Sequence, residues 1–134
     1  MTYSTQPNRD SYATFYLILS VIGGLAALLA LCGHLAFEDD AMVLIGNAFA
    51  VISMMVLKPS KDKDEFLNGL WHAGAGTAIV TMALWAMLGP TLAGFVDGVS
   101  GKPPTTRFPH EASFAVLTTG FFGGYLWRRL RGQA

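Results

Sequence analysis

The sequence predicts an all-α protein: a four-helix transmembrane bundle, with both termini on the cytoplasmic side of a bacterial-type inner membrane. Three observations predict it. Hydrophobic residues make up 52% of the chain and charged residues only 13%, against roughly 25% charged in a typical soluble domain. The apolar residues fall into four runs separated by polar breaks, and the basic residues cluster on one set of those breaks. A water-soluble unit of 134 residues cannot hide that much apolar surface, so lipid is the expected solvent. The length fits a single integral membrane domain covering 1–134.

The polar tail before residue 12 leads into the first span, 15–35, a run of 21 residues without a charge. About 20 residues are needed to cross the hydrocarbon core. Glu38, Asp39 and Asp40 break it. The second span, 41–57, is followed by a solvated turn from Lys58 to Glu65. The third, 70–96, is long enough to tilt, and Gly89 with Pro90 is expected to kink it, because proline removes a backbone donor. Residues 97–111, rich in Gly, Pro and Thr, read as a loop. The fourth span, 112–127, has only 16 residues before Arg128, Arg129 and Arg131 stop it. Local bilayer thinning, or starting it at Pro109, would rescue its length. All four must be helices, since an open strand edge in lipid leaves backbone groups unsatisfied.

Orientation follows from the basic residues. With the N-terminus inside, seven of the nine fall on the inner side and only Lys102 and Arg107 on the outer, a positive-inside pattern. Trp71 and Trp127 then sit near the inner interface. The first span is too long for a cleaved signal peptide, and its charged flank follows a polar tail. Leu31 is too bulky before Cys32 for a lipoprotein site, so Cys32 is expected to be a small buried hydrophobe. One cysteine excludes an intrachain disulfide and a cysteine-based metal site, and the balanced net charge of zero gives no pointer to nucleic acid. The two halves echo each other at an offset of 65. Residues 48–53 parallel 113–118, and Leu19 and Gly24 fall on Leu84 and Gly89, which suggests a parallel repeat of two helical hairpins.

Chemistry is sparse. No Asp, Glu, Lys or Arg lies inside a span, which argues against an ion-coupled transporter, where a buried ionisable group normally does the coupling. His34 and His110 share an outer depth on different helices, the arrangement by which two imidazoles clamp a b-type haem. Facing headgroups at the interface is the more ordinary role for such histidines. Their acidic neighbours Glu38, Asp39, Asp40, Asp97 and Glu111 suit a divalent metal, but without motif spacing they read better as a solvated rim. His72 lies at the inner end of the third span. Small residues four apart, Gly120 with Gly124, Gly74 with Ala78 and Gly23 with Ala27, permit close helix contact. Either internal packing or a partner subunit could use them, and lipid or a partner would cover Trp85, Phe95, Phe121 and Phe122. Met54, Met55, Met82 and Met87 read as adaptable packing.

Residues 83–89 (Ala-Leu-Trp-Ala-Met-Leu-Gly), Arg107 to His110 (Arg-Phe-Pro-His) and Ala112 to Val116 together resemble the start of the catalytic subunit of haem–copper oxidases. The type resembled is the high-affinity one related to nitric oxide reductases. The resemblance implies that His110 ligates a haem b and that Arg107 pairs with a propionate. It further implies that the first half is similar to an extra N-terminal helix pair, with Asn47 where a ligand would stand. Glu111 departs from the small polar residue expected after the histidine, and the chain ends before the remaining haem and copper histidines. By itself it is therefore not expected to be an enzyme.

The expected function is an accessory, non-catalytic subunit of an inner-membrane respiratory or photosynthetic complex. It would dock through small-residue and aromatic helix faces, with lipid and a larger complex or a second copy as partners, and hold a haem or pigment at His110 or His34. The alternative is a small self-associating transporter or channel. A small membrane enzyme using the outer histidine and carboxylates is a third class.

Overall fold

The computed structural model describes residues 9–37, 39–59, 65–101 and 112–132. The described residues are helical almost throughout, without a strand. Helix α1 spans Arg9–Cys32 and runs into a π-helical turn, Gly33–Phe37; α2 spans Asp40–Leu57, α3 Glu65–Ser100 and α4 Ser113–Leu130.

Each boundary has a local cause. The π turn sits at the corner between α1 and α2, where Gly33 presses on the start of α2. A side chain there would meet Val43 Cγ2 at 2.9 Å and Met42 Cβ at 3.2 Å. Asp39 then caps α2, its Oδ1 accepting from the Ala41 amide at 2.9 Å and the Met42 amide at 3.4 Å. Two of the orphan donors of a helix start are satisfied in this way. Asp39→Ala should cost about 1 kcal/mol, read as a lower thermal midpoint and faster amide exchange at Ala41 and Met42. Asp39→Asn should keep most of that stability. Lys58 leaves the helical region at the end of α2, and Pro59 follows. Gly132, with φ of +62°, ends α4 in a left-handed turn, its amide donating to the Arg129 carbonyl at 3.1 Å. Arg128 and Arg129 occupy the last turn of α4, where positive charge complements the negative end of the helix dipole.

Two expectations are corrected here. Helix α3 continues without a break in its helical backbone through Pro90 and on to Ser100, so residues 97–100, expected in a loop, form its last turn. At 36 residues it is about 54 Å long, well beyond the ~30 Å of a bilayer core. Cys32, expected to be buried, is exposed. With apolar residues on every side of α1, hydropathy does not reveal which face turns inward.

The helices pack antiparallel in the order α2, α1, α4, α3, with α2 touching α4 only marginally. Helix α4 is therefore flanked by α1 and α3, and it supplies the largest buried side chains, Phe121, Phe122 and Tyr125. The core joins them to Tyr16 and Ala27 of α1, Ala50 and Leu57 of α2, and Leu70 and Ala78 of α3.

Among the described residues three stretches are long and apolar enough to cross a membrane: Tyr12–Phe37, Asp40–Leu57 and Glu65–Ser100. Helix α4 does not reach that standard, because Arg128 and Arg129 fall within its 18 residues and Gly, Thr and Tyr dilute the rest. Outward surface is abundant elsewhere. Leu25 on α1, Leu44 and Met55 on α2, and Ile79, Met87 and Phe95 on α3 are all exposed, which inverts the pattern of a water-soluble bundle.

Burial follows the internal echo at some offset pairs and not at others, since Leu19 and Gly24 are half-buried while Leu84 is exposed and Gly89 buried. Ala50 and Ser53 are buried on α2, as are their offset partners Ala115 and Thr118 on α4, while Phe49 and Phe114 both face out. The two hairpins nevertheless sit in different surroundings, since α1 lies between two helices and α3 beside one.

Candidate functional site

The small-residue pairs lie at the seams between helices. On the α3–α4 seam, a Cβ added at Gly120 would stand 2.7 Å from Thr81 Oγ1 and 3.3 Å from the Ala78 Cα. One added at Gly124 would overlap Thr77 Oγ1 and lie 3.0 Å from the Ala73 carbonyl, and one at Gly74 would meet the Phe121 ring and carbonyl at 2.9 Å. Gly120, Gly124, Gly74 and Ala78 thus form one seam. Across the α1–α4 contact, Gly23 accepts the edge of the Phe122 ring, with Ser53 Cβ of α2 also close. Ala27, one turn on, is fully buried. These positions serve contacts inside the chain.

Sequence reasoning missed the tightest α1–α2 crossing, at Gly46. A Cβ there would lie 2.6 Å from the Ala26 carbonyl and 2.8 Å from Ala30 Cβ. The signal was present as two more small-residue pairs four apart, Ala26 with Ala30 and Gly46 with Ala50.

The two described histidines are placed apart. His34 sits half-buried in the π turn, and His72 is exposed at the start of α3, edge-on to Trp71 with ring centres 6.2 Å apart. Because α1 and α3 start from the same end of the bundle, His34 and His72 lie at opposite ends. His110, Arg107 and Glu111 lie outside the described residues, as does Glu38. Among the described residues no three His, Cys, Asp or Glu side chains come together as a metal site would need, and Asp39 is engaged as a helix cap. Asn47, half-buried on α2, has a buried Oδ1 without a hydrogen-bond partner among the described residues.

Basic side chains collect at the opposite end, where α4 finishes beside the starts of α1 and α3. Arg129 turns toward α1 and donates from Nη2 to the Ala13 carbonyl. Its neighbours turn toward α3. Arg128 lies over Gly69, where an added Cβ would stand 3.7 Å from the guanidinium, and Arg131 stacks on Trp127 with 4.4 Å from its Cζ to the ring centre. Between α3 and α4 these side chains border a groove of about 1010 Å³ whose floor is Ala73, Thr77, Gly123 and Gly124. The Thr77 hydroxyl donates to the Ala73 carbonyl at 2.8 Å, so the floor is apolar in effect. Nothing lies within 4 Å of the Cβ position at Gly123, which leaves the floor open.

No family model matches the sequence, and no curated protein or solved structure matches it either.

Proposed function

We propose that the chain is an integral membrane protein with four spans and both termini in the cytoplasm, serving as an accessory, non-catalytic subunit of a larger inner-membrane complex. The observation that carries this is α3. Only 6% of its most apolar stretch is buried, and α4 covers it on one side alone. The exposed remainder, Ile79, Val80, Leu84, Met87, Leu88, Leu92 and Phe95 among it, offers an apolar rail for a membrane partner. The chain's own small-residue seams are already filled, so this rail is surface the bundle itself does not use.

Orientation rests on Arg128, Arg129 and Arg131 sharing one end of the bundle with Lys58, as the positive-inside rule asks of a cytoplasmic face. The matched burial of residues 50 and 53 with 115 and 118 favours a parallel repeat of two hairpins. A respiratory or photosynthetic complex is the natural host because of the oxidase-like stretch around Trp85 and Arg107 to His110. His34 or His110 would hold a haem or pigment there.

The test is photo-crosslinking in native membranes from Met87 and Phe95 of α3, with Leu25 of α1 as comparison. A discrete adduct with a larger membrane subunit, formed from α3 and not from α1, is the expected result. An adduct with only a second copy would replace this reading with the self-associating transporter or channel, to be decided by flux in liposomes. A reduced-minus-oxidised spectrum of the isolated adduct, with and without His110→Ala, reports on the haem.

A further inference from the structure

We propose that the groove between α3 and α4 is a binding site for one anionic phospholipid of the cytoplasmic leaflet. The inference rests on the membrane reading above and names a ligand and residues for it. The groove is amphiphilic along its length. Ala73, Thr77 and Gly124 line the end away from the arginines, where small side chains leave room and the Thr77 hydroxyl is tied to the Ala73 carbonyl. Arg128 and Arg131 lie one to two helical turns nearer the end of α4, about 6–10 Å along the axis. That is the polarity of a phospholipid standing in a leaflet, with its head at the arginines and an acyl chain on the floor.

The head end is built for an oxyanion. Stacking on Trp127 holds the Arg131 guanidinium by its face and leaves its N–H edges for oxygen acceptors. Arg128 brings a second guanidinium to the same border, and the described residues that line the groove include no carboxylate. Trp127 is exposed beside them, an amphipathic ring of the kind that settles at headgroup depth. A zwitterionic lipid brings its own cation to two arginines, and a soluble anion gains nothing from the floor. Basic pockets between helices on the cytoplasmic side are where anionic headgroups bind.

The full chain reconstituted into bilayer discs of mixed phosphatidylcholine and phosphatidylglycerol, then released for native mass spectrometry, tests this. One phosphatidylglycerol should be retained in preference to phosphatidylcholine. Arg128→Gln and Arg131→Gln should each lower that retention about fivefold. Gly123→Leu, whose side chain enters open space and fills the floor, should abolish it while the helical melt is preserved. Gly98→Leu on the far part of α3, also in open space, should change nothing. Equal retention of both lipids, or retention that survives Gly123→Leu, would overturn the site. Displacement by glycerol phosphate alone would reduce it to a headgroup contact, and a lipid-free dimer would give the groove to a second copy. Extraction of the chain by alkaline carbonate would instead remove the membrane reading itself.

Discussion

Phe121→Ala should destabilise the protein by about 3–5 kcal/mol, the range for emptying a large aromatic site in a core. Phe121 is 1% exposed. Its ring meets Phe122 nearly perpendicular at 5.3 Å between centres and Trp71 at 5.7 Å, with Tyr125 tilted at 6.2 Å. Edge-to-face pairs of this kind add roughly 0.5–1.5 kcal/mol each beyond burial. The close seat of Gly74 on the same ring means that α3 cannot simply slide into the vacated space without shifting the Gly120 and Gly124 contacts. Denaturation in mild detergent, followed by far-ultraviolet circular dichroism, measures the loss. Phe121→Leu should fall between alanine and wild type. Phe95→Ala, at an equally large ring that is 69% exposed, should scarcely move the midpoint. If the two alanine variants behaved alike, α4 would not be the centre of the bundle.

The glycines of α4 should give opposite signs at adjacent positions. Gly→Ala in a helix interior ordinarily gains about 1 kcal/mol from backbone entropy. At Gly123 the added methyl meets nothing, so Gly123→Ala should stabilise. At Gly124 the same methyl overlaps Thr77 Oγ1 and crowds Thr77 Cβ at 2.5 Å. Overpacking of this kind costs about 1–3 kcal/mol, which exceeds the entropic gain, so Gly124→Ala should destabilise and Gly124→Leu do so more severely. Thr77→Gly should recover part of the Gly124→Ala loss, giving a coupling energy in a double-mutant cycle. Additive effects would mean that the two residues do not touch.

The sequence made some of this legible and hid the rest for identifiable reasons. Hydropathy located α2 and the far end of α1 to within a few residues, because charges at Glu38 to Asp40 and from Lys58 onward leave few ways to place those ends, whereas α1 starts six residues before the apolar run, at Arg9. Helix α3 was foreseen shorter, since the charges up to Glu65 and the polar composition after Val96 imitate its ends. The pairs Gly74 with Ala78 and Gly120 with Gly124 were marked by their spacing, whereas the contact of one pair with the other was not, because spacing names a face and not its neighbour. Cys32 was misplaced for the same reason. The groove was invisible in the sequence, since Ala73 and Thr77 meet Trp127 and Arg131 only once two helices distant along the chain are laid side by side. Arg107 and His110 fall beyond the described residues, and the haem they imply stays a proposal for the spectrum to decide.

The place of α4 between α1 and α3 carries a consequence for biogenesis. Of the four helices, the one against which α3 packs is synthesised last. At roughly 5–20 residues per second, several seconds of translation separate the completion of α2 from the emergence of α4. During that interval α1 and α2 can close their hairpin through Gly46 and Gly33, while α3 has left the ribosome without a mate. Quality control should therefore meet a half-assembled intermediate whose exposed seam carries Gly74, Ala78 and Thr81. A premature stop before Ala112 would leave the nascent chain in that state permanently, and proteolysis rather than lost activity would be its first phenotype.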